Sequence, residues 1–316
     1  MDDLTGACLV AVRDCLGLRA DEELLVVTDP TRRELAAALA AAGRGLGAEV
    51  VLLEMAERAQ SGAEPPRSVV AAMCAADAVL CPTAKSLTHT KARRDAVAAG
   101  ARVATMPGIT AAILLRTMAV DYAKVVADTR RVTDILTAGK TAHLTTPAGT
   151  DLRLPLEGIA AIASTGVITG KGAWGNLPSG EAYLRPVEGR TSGVLVVDGA
   201  MAGIGLVRGP LRIRITDGLA VSFEGPDAAR LQEMLDQHGP LARTVAELGV
   251  GTNYGARLTG EILEDEKVAG TAHVALGNNA SMGGSVTVPV HLDGIVLRPT
   301  LRVDDRLVLE DGRLVV

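Results

Sequence analysis

The sequence predicts a two-lobed α/β protein, with a parallel-sheet α/β lobe followed by a mainly antiparallel, β-rich lobe that binds metal. The length of 316 residues is about twice that of a common domain. Up to about residue 139, short apolar runs alternate with Ala-rich helical stretches, whereas from Thr141 glycines and short alternating strands dominate. We therefore assign residues 1–139 to the α/β lobe and residues 140–316 to the β-rich lobe.

Continuous apolar strands in the first lobe are separated by helices. We predict strands at 23–29, 49–53, 78–81 and 102–106, and helices at 31–45, 65–76, 90–99 and, in two pieces, 110–136. Such strands pair in parallel through right-handed crossovers. No G-x-G-x-x-G follows the first strand and no P-loop motif occurs, which excludes dinucleotide and P-loop sites.

Ligands of a parallel sheet bind beyond the carboxyl ends of its strands. Four polar residues follow the third strand and are our candidates for substrate binding: Lys85, Ser86, His89 and Thr90. For His89 a capping or core hydrogen bond is the competing explanation. We interpret Arg93 and Arg94 as charges on a helix surface.

The second lobe alternates apolar and polar residues over short runs such as 193–197, 211–215 and 286–291. Close Gly and Asp turns between such runs indicate antiparallel strands. One helix is predicted at 226–238, continuing loosely to residue 247.

Composition excludes several classes of function. Aromatic residues make up 2% of the chain and the net charge is −5, which disfavours base stacking and a phosphate-binding groove. The four cysteines form no C-x-x-C pair and are predicted to be buried thiols in a reducing compartment. With no signal-peptide pattern and no apolar run near ~20 residues, we predict a cytoplasmic protein that binds neither nucleic acid nor membrane.

An H-x-D pair, His291 and Asp293, lies in an apolar strand, where alternate side chains share a face. His273 begins another short apolar run 18 residues earlier. Glu181 and Glu247 lie where regular structure gives way to Gly-rich turns. Taken singly, the H-x-D pair is explained by hydrogen bonds at a strand end, and each glutamate by a surface position.

Together these residues form a set of two imidazoles and at least three carboxylates. Mixed nitrogen and oxygen ligands suit Zn²⁺, Mn²⁺, Co²⁺ or Fe²⁺. Two metals that share carboxylates suit hydrolysis, because one activates water while both stabilise the oxyanion. A carboxylate that is not tied to metal can act as general base.

Four ordered motifs, together with the segment 86–93, resemble the aminopeptidase T/aminopeptidase S family of metallopeptidases. The motifs are NLPSGE at 176–181, AELGVGTN at 246–253, DEK…GTAHVALG at 265–277 and HLD at 291–293. The resemblance implies a homodimer, a substrate-closing α/β lobe and two divalent ions, Zn, Co or Mn. It also implies the ligands Glu181, Glu247, His273, His291 and Asp293, with Glu247 and Glu266 as catalytic residues.

The chain departs from that family in two respects. It is shorter in the first lobe, and it lacks the family's Tyr about seven residues after the motif His, for which Tyr183 and Tyr254 are the candidate replacements. The main hypothesis is a dinuclear hydrolase that removes N-terminal amino acids from short peptides or cleaves a small amide. The alternative is a related mononuclear Fe(II) dioxygenase that opens a dihydroxypyridine-like ring, in which a His is expected near Glu247. A non-catalytic binding protein would have lost ligands, and all five are present.

Overall fold

The computed structural model describes residues 3–316; Met1 and Asp2, part of the segment used to argue against a signal peptide, lie outside it. Contacts divide the chain into two compact units. The first comprises Met1–Tyr122 and Gly166–Ser179, and the second comprises Ala123–Thr165 and Gly180–Val316. The units interleave along the chain, whereas the sequence predicts one boundary near residue 139.

Eight α-helices occur in residues 3–316: α1 Asp3–Leu9, α2 Arg33–Gly45, α3 Arg67–Ala75, α4 Lys91–Ala99, α5 Ala111–Met118, α6 Tyr122–Ala138, α7 Ala228–Asp236 and α8 Ile262–Asp265. A π-helical segment spans Val10–Cys15, and 3₁₀ turns span Pro30–Arg32, Pro240–Arg243 and Ala280–Met282. None of the helices in this range is both long and apolar enough to cross a membrane.

The same residues contain twenty strands: β1 Glu23–Thr28, β2 Glu49–Glu54, β3 Ala78–Thr83, β4 Arg102–Pro107, β5 Thr141–Thr145, β6 Asp151–Pro155, β7 Ile162–Ser164, β8 Trp174–Asn176, β9 Glu181–Leu184, β10 Ser192–Val197, β11 Ala200–Met201, β12 Gly205–Leu206, β13 Leu211–Thr216, β14 Leu219–Glu224, β15 Val245–Gly251, β16 Ala272–Gly277, β17 His291–Val296, β18 Thr300–Val303, β19 Arg306–Glu310 and β20 Arg313–Leu314.

The first unit is built on a parallel sheet of order β2-β1-β3-β4-β8. Leu24 and Val26 pack in one apolar cluster, and Leu25 and Val27 in another. Both faces of β1 are therefore covered, which explains its unbroken run of apolar residues. The predicted parallel α/β lobe is confirmed.

The strand β8 was not predicted in this sheet. Residues 166–179 lie in the part of the sequence that we assign to the antiparallel lobe, yet β8 pairs in parallel with β4. Asn176 in this strand donates to the hydroxyls of Thr88 and Thr105. A three-residue strand carries too little apolar periodicity to be recognised by pattern.

A buried ion pair fixes the start of β4 in the first unit. Arg102 donates to both carboxylate oxygens of Glu22, at 3.0 and 2.6 Å, and to the backbone oxygen of Leu16. Both charged side chains are buried. Because the fork is bidentate, it restrains the orientation of both partners.

The second unit contains two antiparallel sheets. One has the order β14-β13-β10-β6-β5-β18-β19-β20 and the other β12-β11-β17-β16-β15-β9-β7. Leu144 and Leu195 of the first sheet and Leu184 and Val274 of the second belong to one apolar cluster, as in two layers packed face to face. The predicted β-rich lobe is confirmed.

The predicted continuation of the 226–238 helix towards residue 247 is wrong. The helix α7 ends at Asp236, a 3₁₀ turn follows, and β15 begins at Val245. Glu247 therefore lies within a strand of the second sheet. A short apolar stretch with no clear period does not distinguish a helix from a buried strand.

Candidate metal centre

The five predicted ligands lie on four neighbouring strands of one sheet. Glu181 is on β9, Glu247 on β15, His273 on β16, and His291 and Asp293 on β17. The order β17-β16-β15-β9 makes each of these strands adjacent to the next. Residues up to 112 positions apart in sequence are therefore brought together by strand pairing.

The strand register puts all the donors on one face. Glu247 is opposite Ala275, which is opposite Asp293, and His273 is two residues from Ala275. Side chains that are opposite or two residues apart point to the same side of a sheet. The small Ala275 leaves space between the two carboxylates in its row.

The other face of these strands is apolar. Leu184, Leu248, Val274 and Leu292 alternate with the donors and belong to the core cluster. Burial of this face holds the register, because a slip of one residue would carry polar side chains into the core. The core thus fixes the positions of the donors.

A β-bulge aims Glu247 at the site. The register shifts between Val245, which is opposite Leu276, and Glu247, which is opposite Ala275. In a regular strand Val245 and Glu247, two residues apart, would share a face; because of the bulge at Ala246 they point to opposite faces, and Val245 joins the core. Bulges commonly reorient a side chain in this way.

The donor atoms fall into two groups that share Glu247. Glu181, Glu247 and His273 form one group, and Glu247, His291 and Asp293 form the other. Glu247 Oε1 is 3.2 Å from His273 Nε2, and Glu247 Oε2 is 3.3 Å from His291 Nε2. Two ligands bound at ~2.1 Å to one ion at 90–109° are separated by about 3.0–3.4 Å, so these spacings suit a shared ion.

Two buried carboxylate oxygens support the presence of a cation. Glu181 Oε2 and Asp293 Oδ1 accept no hydrogen bond among residues 3–316. They are 3.4 Å from His273 Nε2 and His291 Nε2, respectively. A buried carboxylate oxygen without a hydrogen-bond partner is costly, and a metal ion bound in the donor group to which the oxygen belongs would satisfy it. The residues therefore fit a divalent metal.

The two imidazoles are oriented differently. His291 Nδ1 lies 2.7 Å from the carbonyl oxygen of Asn278; because a carbonyl only accepts, Nδ1 carries the proton and Nε2 is left to bind metal. His273 is fully buried, and its ring lies over Gly249, where a Cβ atom would collide with it. The His291 side chain is 28% exposed, which leaves the site open on that side.

Lys267 is a central residue of the site that the sequence did not single out. It is fully buried, its Nζ donates to Glu181 Oε1 at 2.7 Å, and it also donates to Glu266. Asn253, in the Gly-rich segment after β15, donates its backbone N–H to the carbonyl of Lys267. The DEK motif was the only signal for this lysine, since its burial is a tertiary property.

The carboxylates dominate the electrostatics of the site. Burial alone would lower the pKa of both His273 and His291. The hydrogen bond to Glu247 and the surrounding carboxylates nevertheless raise the pKa of His273 to about 9. Asp293 and Glu247 likewise raise the pKa of His291 well above its usual value. Burial favours the neutral form of Asp293, yet the charge of His291 lowers its pKa to about 2. In the metal-free protein, the protonated imidazoles therefore supply the positive charge that a metal ion would otherwise supply.

Glu266 has the opposite shift. Its pKa is raised to about 8, chiefly by burial, with the charges of Glu181 and Asp293 adding to the effect and Lys267 opposing it. A carboxyl group with a pKa near neutrality can accept and return a proton at physiological pH. This suits the predicted role of Glu266 as a catalytic residue.

The predicted substrate-binding residues lie in the first unit, around the start of α4. Lys85 and Ser86 are half-buried and His89 is exposed. The Thr90 hydroxyl accepts from the N–H of Arg93 and donates to the carbonyl of Leu87, so it caps α4. Their contact with substrate stays a prediction.

Arg93 was interpreted as a surface charge, and that interpretation is wrong. Its side chain is buried, donates to the carbonyl of Thr88, and lies 3.8 Å from the centre of the Trp174 ring. Burial lowers its pKa to about 10. The partner Trp174 follows 81 residues later, so local sequence gives no sign of this contact.

The two candidate replacements for the absent Tyr differ in position. Tyr183 lies on β9 opposite Gly249, and its pKa is raised by burial and then by the charges of Glu181 and Glu247. Tyr254 instead accepts from Lys124 and donates to Asp128. Of the two, only Tyr183 has a pKa that is affected by the charges of the predicted metal ligands.

A family model described as NicX: 2,5-dihydroxypyridine 5,6-dioxygenase matches residues 4–316. A curated relative, the 2,5-dihydroxypyridine 5,6-dioxygenase of Pseudomonas putida KT2440, is 25% identical over 205 residues. That alignment covers 60% of this chain and 59% of the relative, so the chain spans less than two thirds of that protein.

Two solved structures are similar over nearly the whole chain. The 2,5-dihydroxypyridine dioxygenase from Pseudomonas putida KT2440 has a TM-score of 0.85 at 20% identity, covering 100% of this chain and 98% of its own. Wild-type AmpT from Thermus thermophilus has a TM-score of 0.73 at 19% identity, covering 99% of both. At these identities the likeness shows the fold, and the link to the aminopeptidases is structural alone.

Proposed function

We propose that this chain, which belongs to the 2,5-dihydroxypyridine 5,6-dioxygenase (NicX) family, uses one divalent metal ion to open the ring of a dihydroxypyridine-like substrate with O₂. The observation that carries the proposal is the group formed by Glu247, His291 and Asp293 on one face of the sheet. Of the two hypotheses from the sequence, we prefer the dioxygenase to the aminopeptidase. The reason is that the family model matching residues 4–316 describes a dioxygenase.

Glu247, His291 and Asp293 are the residues that would hold the ion. One imidazole and two carboxylates suit Fe²⁺ among the mixed-ligand metals, and a bound Fe²⁺ would supply the redox chemistry for reaction with O₂. The set differs from a facial triad of two His and one carboxylate, because the two imidazoles fall in different groups. His273 then holds Glu247 through the 3.2 Å contact.

The chain's own residues move the proton that ring opening requires. Glu266, with its pKa near 8, accepts the proton of a substrate hydroxyl, which makes the ring more electron-rich. Both atoms of O₂ enter the product and one ring carbon–carbon bond breaks. The four electrons that O₂ gains come from the substrate, so no external reductant is consumed.

The experiment is anaerobic reconstitution with Fe²⁺, followed by measurement of O₂ uptake with 2,5-dihydroxypyridine. We expect one O₂ per ring opened, with two ¹⁸O atoms incorporated from ¹⁸O₂. Asp293→Asn should abolish uptake, and Glu266→Gln should lower kcat by about 10²–10⁴-fold. As a matched control, His143→Ala, which removes a contact to Asp151 on the other sheet, should leave uptake unchanged. Absence of uptake with iron-loaded protein across dihydroxypyridines would refute the proposal.

A second candidate function is supported by a separate observation. Glu247 is shared by two donor groups, as a bridging carboxylate would be in a dinuclear hydrolase. This candidate predicts hydrolysis of aminoacyl anilides, with release of the aniline and the free amino acid, by protein loaded with two equivalents of Co²⁺, Mn²⁺ or Zn²⁺. Turnover of anilides without O₂ uptake would favour it over ring opening.

A further inference from the structure

We infer that the ammonium group of Lys267 takes the place of a second metal ion, so that Lys267 is the residue that makes this a one-metal centre. The inference rests on the proposed function for the use of that single ion. Its geometric basis is that Lys267 binds the carboxylate of Glu181 from within the protein.

Lys267 Nζ donates to Glu181 Oε1 at 2.7 Å and also to Glu266. The remaining oxygen, Glu181 Oε2, is the one that faces His273 Nε2 at 3.4 Å. An ion held by Glu181, Glu247 and His273 would therefore share a carboxylate with a buried ammonium. Two cations bound to one buried carboxylate repel each other in a medium of low dielectric.

The other donor group lacks this competitor. The carboxylates of Glu247 and Asp293 and the imidazole of His291 have no lysine or arginine within ion-pair distance in residues 3–316. Two carboxylates and one imidazole attract a divalent ion more strongly than a group whose glutamate is already paired. We therefore assign the tight site to this group.

The charge balance leads to the same assignment. Glu181, Glu247 and Asp293 provide three negative charges and Lys267 one positive charge. With neutral imidazoles the net charge of these four groups is −2, which one divalent ion neutralises and a second would turn to +2. Without the lysine charge the net charge would be −3, so that one divalent ion would leave −1 to attract a second.

The test is the metal stoichiometry of the full chain, which is independent of turnover. Chelator-treated protein is titrated anaerobically with Fe²⁺, and in parallel with Mn²⁺, and bound metal is measured after equilibrium dialysis. The wild type should bind one ion tightly and give the six-line Mn²⁺ EPR signal of an isolated ion. Lys267→Met, which keeps the length and removes the charge, should bind a second ion at least 100-fold more tightly than the wild type does and give a spin-coupled signal.

Glu266→Gln is the matched control, since it changes a neighbour of Lys267 and keeps the ammonium at Glu181; it should still bind one ion. If Lys267→Met does not fold, as judged by circular dichroism, Glu181→Gln decides. It should bind its single ion within tenfold of the wild-type affinity, while Asp293→Asn loses the ion.

Two tight ions in the wild type, or one ion at unchanged affinity in folded Lys267→Met, would overturn the inference. A wild type with one ion that takes up no O₂ with dihydroxypyridines would refute the proposed function and leave the role of Lys267 intact. O₂ uptake by protein that binds two ions tightly would support ring opening and overturn the role of Lys267.

Discussion

Gly249 lies under the imidazole of His273, and adding one methyl group there tests how the centre is held. A Cβ atom at this position would overlap Nε2, Cε1 and Cδ2 of the ring. Non-bonded atoms of this kind keep about 3.5 Å between them, so in Gly249→Ala the ring must move by more than ~1 Å. The 3.2 Å contact between His273 Nε2 and Glu247 Oε1 would not survive that movement.

The expected loss follows from the role of this contact. Removal of a group that orients a metal ligand costs about 10–100-fold in metal affinity, or ~1.4–2.7 kcal/mol. Overpacking the buried strand pair adds a loss of folding stability of ~1–3 kcal/mol. Metal affinity is measured by anaerobic competition with a chromophoric chelator, and stability by urea denaturation of the metal-free protein.

Two further variants isolate the cause. Gly45→Ala, at the end of α2, has nothing within 4 Å of the added Cβ and should keep the wild-type metal affinity. In a His273→Ala background, Gly249→Ala should produce no additional loss of affinity, because its effect passes through the ring. A loss that is additive in the double variant, or a Gly249→Ala protein with wild-type affinity, would refute the reasoning.

Four other outcomes are expected. Arg102→Met should lower the free energy of unfolding by ~3–5 kcal/mol, because it leaves Glu22 buried and unpaired; urea denaturation checks this. Although burial opposes the shift, Arg102 lowers the pKa of the Glu22 carboxyl. The stabilisation from this ion pair is therefore present above the pKa of Glu22 in the unfolded state and is lost as the pH falls through its pKa in the folded state. In Glu22→Gln, the free energy of unfolding should depend less on pH below about pH 5. Since the pKa of His291 is raised, the metal-free imidazole is protonated at neutral pH and must lose its proton to bind metal. Metal affinity should therefore rise by up to about tenfold per pH unit until that pKa is reached. Calorimetry in buffers of different ionisation enthalpy measures the proton release. Ala275→Leu fills the row between the two carboxylates, and should reduce bound metal in dialysed protein while circular dichroism shows a retained fold.

Much of the fold could be predicted because its signals are local. The apolar runs of β1, β3 and β4, each followed by a helix, indicate a parallel sheet in any context. The alternation of His291, Leu292 and Asp293 likewise puts two donors on one face, since successive strand residues point to opposite sides. The residue types alone limited the site to mixed nitrogen and oxygen ligands.

Tertiary structure decided how those donors combine. Strand order brings β9 beside β15, and a bulge at Ala246 turns Glu247 away from the core. Neither the strand order nor the bulge has a signature in the local sequence, because the pairing register depends on contacts between distant segments. The burial of Lys267 against Glu181 and of Arg93 against Trp174 are decided in the same way. Local periodicity thus determined which residues could bind metal, and only the paired strands, held by their shared apolar core, determined which of them share one ion.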